Sequence, residues 1–195
     1  MNLLERKRLS PEQSRSAALS AARALPIEEG AAAVTLQAVA KRVGRTHANL
    51  LHHFGSAAGL QKALAEDIAR TVAASIEEAI EQRRQGHGTE RDVVNAMFDA
   101  FRREGAGELI GWIALTRQRE ALEPVVQTIE RIIRVMKVLG DERPVDKMTV
   151  GLTLLAIGDS LAGDEVARAC DLPREAIREV AVTQIEALAG ERLRD

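Results

Sequence analysis

Apolar residues stand at every fourth position from Leu60 through Leu64, Ile68, Val72 and Ile76 to Ile80. That spacing draws one stripe down an α-helix. It predicts a single helix running from Ser56 to Gln85, long enough to act as a rod between an N-terminal and a C-terminal part of the chain. The rest of the 195 residues agrees with a helical chain. Apolar residues make up 46% and charged residues 29%, which excludes both a disordered chain and a bilayer-embedded one. Aromatic residues are only 2% and Tyr is absent, so the core must be built from Ala, Leu, Ile and Val.

Punctuation divides the remainder. Ser10-Pro11-Glu12-Gln13 supplies an N-cap, a proline at the first helical position and a capping-box partner, and Pro26 ends or kinks that first helix. Thr35 caps a short helix with Leu36, Val39, Ala40 and Val43 on one face, and Gly44 stands at its C-terminal turn. Thr46 caps a third helix, His47 to Phe54, which Gly55 stops. After the rod, apolar patterns predict helices over Thr89–Arg103, Glu108–Ala121, Pro124–Leu139, Pro144–Leu161 and from Pro173 through Leu188. The expected architecture is all-α: a three-helix head (residues 1–56) and a six-helix body (57–195).

Charge is unevenly spread over this plan. The first 56 residues carry 8 Lys and Arg against 4 Asp and Glu, and the remainder carries 19 against 25. Three of the four His also fall in the first segment. A basic head on an acidic body fits a polyanion contact at one end; the bland alternative is a fluctuation of a solvated surface.

Thr35 to Phe54 is the informative unit. Two short helices meeting at a tight Gly turn form a helix-turn-helix, and the second helix of such a unit meets base edges in the major groove. His47, Ala48 and Asn49 occupy the reading positions: Asn pairs with adenine, His contacts guanine or phosphate, and an Ala methyl meets a thymine methyl. Thr35, Arg45, Thr46, His52 and His53 complete the DNA-binding set, the capped helix starts offering N–H groups and dipoles to phosphate.

Other signals point away from chemistry. His47, His52 and His53 lack metal-ligand spacing, so neither a metal nor a cofactor is expected. Gly158-Asp159-Ser160-Leu161 spells a hydrolase signature, but inside a helical pattern and with no His after it, so no enzyme is expected. Asp159 reads instead as a polar contact in a dimer seam or pocket. A single Cys, Cys170, excludes an internal disulfide. Met1 to Arg8 is charged and no stretch approaches 18 apolar residues, so the expectation is a cytoplasmic protein without a secretory signal or membrane span. In the body, Met97, Phe98, Phe101, Trp112, Leu115 and Met136 form the candidate pocket for a small, flat or aliphatic apolar ligand; core packing is the competing explanation for each.

Ala21-Ala22-Arg23-Ala24-Leu25, Gly30, Thr35-Leu36-Gln37-Ala38-Val39-Ala40, Val43-Gly44-Arg45-Thr46, His52-His53-Phe54 and Gly55-Ser56 with Leu60 resemble the tetracycline-repressor (TetR) family of regulators. The resemblance covers the first third of the chain. It implies a homodimeric repressor on double-stranded DNA, whose body ligand moves the connecting helix and so the spacing of two heads. It also implies dimerisation through the last two helices, about 145–163 and 173–189. Three positions depart from the family pattern: Leu51 replaces a Tyr and Ala57 a Lys, both phosphate anchors in the family, and Pro26 replaces a Phe. Arg45, His52, His53 and an Arg6-Lys7-Arg8 arm offset part of that loss. The expectation is DNA binding that is weak, salt-sensitive or different in register; the alternative is a dimeric small-molecule-binding protein with a degenerate head.

Overall fold

The computed structural model describes residues 10–191; the Arg6-Lys7-Arg8 arm lies outside them. Among these residues all regular structure is helical. Nine helices of eight residues or more succeed one another: α1 (Pro11–Arg23), α2 (Leu36–Val43), α3 (His47–Phe54), α4 (Ala57–Arg84), α5 (Glu90–Glu104), α6 (Ala106–Leu115), α7 (Glu123–Val138), α8 (Val145–Ala169) and α9 (Ala176–Glu191). A single helical turn, Leu25–Glu28, and two 3₁₀ turns lie between them.

Ser10, Thr35, Thr46 and Ser56, caps read from the sequence, each accept the N–H three residues ahead at 2.9–3.2 Å, and Thr89, a cap the sequence reading did not name, does the same at 3.3 Å. Such caps satisfy donors that the first helical turn leaves free, at about 1 kcal/mol each.

Three boundaries differ from expectation. Helix α6 ends at Leu115 rather than Ala121, because the Thr116 hydroxyl donates to the Trp112 carbonyl at 2.8 Å and Arg117 turns left-handed at φ 58°. Helix α8 runs to Ala169, two turns beyond Leu161. It stops at Asp171, left-handed at φ 55°, with the Leu172 N–H donating to the Ala167 carbonyl at 3.0 Å. Helix α9 therefore starts at Ala176 rather than Pro173.

Helix α4 does what its stripe requires. Leu60 and Leu64 are buried among head residues such as Leu50 and Phe54, and Ile68 to Ile80 among body residues such as Met97 and Phe101. One apolar core therefore runs unbroken from Ala18 to Ile185.

A polar junction fixes the head against this rod. Arg23, at the end of α1, donates through Nε to Asp67 Oδ2 at 2.9 Å and through Nη2 to Thr71 Oγ1 at 2.7 Å, both on α4. Its Nη1 meets Glu104 at the end of α5. All four side chains are partly buried, so Arg23→Ala leaves two carboxylates poorly solvated. The expected cost is about 2 kcal/mol, which lowers the melting temperature of a chain this size by roughly 4–8 °C. Differential scanning calorimetry checks it; a change under about 1 °C would show that the junction contributes nothing.

Candidate nucleic-acid interface and ligand cavity

The head's turn is built at Gly44. Its φ of 62° is left-handed, which a side chain resists. With Gly44 so placed, the Arg45 N–H reaches the Ala40 carbonyl at 2.9 Å and the chain reverses within two residues into α3. Arg15 of α1 holds the far end of α3, donating to the His53 carbonyl at 3.1 Å with its guanidinium 4.7 Å from the Phe54 ring centre.

Burial sorts the faces of α3. Leu50 and Phe54 are in the core, Asn49 and His53 are half-buried, and His47, Ala48, Leu51 and His52 are exposed. The exposed four, at i, i+1, i+4 and i+5, form one outward stripe. Thr35, Arg45 and Thr46 are also exposed. Of the reading residues named from sequence, His47 and Ala48 therefore lie on the outward stripe, while Asn49 lies at its edge. Its Oδ1 is covered and without a hydrogen-bond partner, so a bidentate adenine contact needs its amide to rotate outward. Leu51, 43% exposed, stands where sequence reading named no contact, although its place one turn after His47 was the available signal.

Pairing sorts the cations as well. Arg42 is held by Glu28 at 2.6 Å and Glu29 at 2.5 Å, and these hydrogen bonds raise its pKa above the ordinary value. Arg23 is committed to the junction and Arg15 to His53 and Phe54. Lys41 and Arg45 are the head's exposed cations without an ion-pair partner among the described residues.

The body holds a cavity of about 90 Å³ between α4, α5, α7 and α8. Met97, Phe101 and Met136, named from sequence, line it; Phe98, Trp112 and Leu115 do not. Phe98 is on a different face of α5, under the Arg178 guanidinium of α9 at 5.6 Å. Trp112 is half-buried with Nε1 unpartnered, and Leu115, at the end of the shortened α6, is 84% exposed. The wall that sequence reading missed is the α4 stripe itself: Ile68, Val72, Ile76 and Ile80 face the cavity. Its one charged end is closed on itself. Arg143 meets Glu90 at 2.7 Å and Asp141 at 2.5 Å, and Arg83 meets the same two at 3.1 and 3.5 Å. The Arg143 hydrogen bonds hold the Asp141 carboxyl below its ordinary range.

Asp159, read as a seam or pocket contact, is 6% exposed and does not line the cavity. It faces Arg174 of its own chain, whose Nη2 donates to the Asp159 carbonyl at 2.9 Å. No helix of the described residues is long and apolar enough to cross a membrane. No group of three or more His, Cys, Asp or Glu among them is placed to hold a metal ion.

The described residues thus form a helix-turn-helix head continuous with a helical body that lines an apolar cavity. Residues 18–64, the head and the start of α4, match the family described as "Bacterial regulatory proteins, tetR family". Over 90% of this chain the fold is similar to that of a protein described as a "putative TetR-family transcriptional regulator from Rhodococcus sp.", with a TM-score of 0.59, 19% identity and coverage of 97% of that chain. A protein of unknown function from Rhodococcus sp. RHA1 is similar at a TM-score of 0.63 and 18% identity, over 95% and 99% of the two chains. The superantigen PfiT is similar at 0.59 and 20%, over 91% and 98%. No curated protein matches in sequence. The chain thus resembles the tetR family over residues 18–64, its helix-turn-helix, and the described residues share an all-helical fold with these structures.

Proposed function

We propose that this chain is a ligand-responsive transcriptional regulator that binds DNA as a homodimer through Thr35 to His53 and acts as a repressor. The outward stripe of α3 carries the reading: His47, Ala48, Leu51 and His52 project from a helix held rigidly behind by Leu50, Phe54 and Arg15. His47, Ala48 and His52 meet base edges or phosphates in the major groove, Asn49 joins them when its amide turns outward, and His53 stays near the backbone. Arg45 and the starts of α2 and α3, at Thr35 and Thr46, hold phosphates.

The partner surface is a second copy of the chain. Val150, Leu154 and Leu161 share one face of α8 and, like Val180 on α9, are 52–64% exposed, and uncovered large apolar side chains on these two helices favour an interface. Pairing α8 and α9 across a two-fold axis gives a four-helix bundle and a near-palindromic operator, with half-sites about 34–36 Å apart. Residues 1–56 then serve as the DNA-binding unit and 57–195 as the ligand-binding and dimerisation unit. A small apolar molecule in the body cavity shifts α4 and thereby favours a head spacing that misfits DNA.

The test is fluorescence anisotropy with a duplex from upstream of the protein's own gene, titrated over a salt series. Binding is expected to weaken steeply with salt. Arg45→Ala is expected to lower the salt slope by about one per head and to weaken all sequences alike. A second reading has one observation in its favour. Leu51 and Ala57 remove two phosphate anchors, and Glu28 with Glu29 occupies Arg42, so the head carries little free positive charge. A folded dimer that binds no duplex at low salt would establish that reading, a binding protein with a degenerate head.

A further inference from the structure

The cavity walls contain three threonines, Thr128, Thr149 and Thr153. Inside a helix a threonine hydroxyl ordinarily donates to the carbonyl one turn back. Thr128 does so to Pro124 at 2.8 Å and Thr149 to Val145 at 2.6 Å. Thr153 does not: it is 9% exposed, and its Oγ1 has no hydrogen-bond partner. Its Oγ1 is covered, so it meets the cavity when the side chain turns about χ1; an unpaired buried hydroxyl is costly, and a ligand partner reached by that turn removes the cost. Water is a poor candidate, since an ordered water needs two to four polar partners, the Thr128 and Thr149 hydroxyls are committed to their own helices, and the rest of the wall is chiefly apolar apart from the paired charges at one end. An ion is a poor candidate too. Arg83 and Arg143 are matched by Glu90 and Asp141, which leaves no surplus charge to meet one.

We infer that the cavity takes an uncharged, chiefly aliphatic molecule with a single hydroxyl or carbonyl oxygen, and that Thr153 Oγ1 is the hydrogen-bond partner of that oxygen. This rests on the reading of the body as a ligand-binding unit. Size sets the class further. A cavity of 150 Å³ holds benzene, so about 90 Å³ fits a body of about four heavy atoms, and five with a slight outward shift of the walls. The hydroxyl accepts from an alcohol or donates to a ketone or ester, so either oxygen type satisfies it.

The protein carries its own reporters. Three of its four methionines, Met97, Met136 and Met148, line the cavity. With ¹³C-methyl methionine in the full chain, 1-butanol and 2-butanone are expected to shift these three methyl signals saturably, and butyrate at the same concentrations to leave them in place. Thr153→Val keeps the shape and removes the hydroxyl. It is expected to weaken 1-butanol and 2-butanone about tenfold and to leave cyclopentane unchanged, while Thr153→Ser retains the preference for the oxygenated probes. Butyrate binding as tightly as 1-butanol would overturn the inference. So would equal losses for 1-butanol and cyclopentane in Thr153→Val, or methyl signals that no probe moves. None of these measurements involves DNA. If the probes bind as expected but the dimer ignores DNA, the ligand class stands and the regulatory reading fails; if DNA binds and no probe enters, the ligand inference alone fails.

Discussion

Replacing Gly59 with Ala is expected to destabilise the protein strongly, at the point where the head joins the rod. Helix α4 begins immediately after the Gly55 turn, and its first turn lies against the last carbonyl of α3. A Cβ at Gly59 would stand 2.0 Å from the Phe54 carbonyl oxygen and 3.2 Å from its carbon. The clashing atoms are backbone, so no side-chain rotation relieves them. Either α4 loses its first turn, with the Ser56 cap at 2.9 Å, or α3 moves and draws Phe54 out of the core. The expected loss is roughly 3 kcal/mol, a fall in melting temperature of about 6–12 °C. Ser56→Ala, which removes only the cap, is expected to cost about 1 kcal/mol. Thermal unfolding of the two variants side by side separates them. Similar small losses in both would show that the junction between α3 and α4 is loose.

The second large effect is a gain. Leu51 and Ala57 are both exposed, so Leu51→Tyr with Ala57→Lys adds polar groups without disturbing the core. The lysine places a positive charge beside the start of α4, and the tyrosine a hydroxyl on the outward stripe of α3. Hydrogen bonds involving a charged partner are worth about 1.5–3 kcal/mol, and a dimer makes each one twice. The double variant is expected to bind duplex DNA at least a hundredfold tighter at fixed salt, with a steeper salt slope from the added lysine. Anisotropy titrations at two salt concentrations measure both quantities. An unchanged affinity would mean that this face of α3 does not meet the backbone.

How much of the fold and site is legible in the sequence depends on how local each cause is. Caps at Ser10, Thr35, Thr46 and Ser56, the turn at Gly44 and the α4 stripe are short-range features, and the structure reproduces them. The early end of α6 turns on a threonine hydroxyl competing for carbonyls and on a left-handed arginine, neither of which has a Gly or Pro to announce it. Three of the six residues named for the pocket line the cavity and three do not, for a similar reason. Periodicity says that Phe98 and Met97 are both apolar positions, but only the placement of α9 decides that Phe98 faces Arg178 while Met97 faces the cavity. Arg42 counts toward the head's positive charge in the sequence, yet Glu28 and Glu29, which hold it, lie 14 and 13 residues away.

The most direct test of the account maps the surface that meets DNA. Backbone amide signals of the ¹⁵N-labelled protein should be monitored as duplex is added at low salt. The largest shifts are expected between Thr35 and Ser56, above all at His47, Ala48, Leu51 and His52. Shifts confined to α5 through α9, or none at any duplex concentration with the protein folded and dimeric, would contradict it.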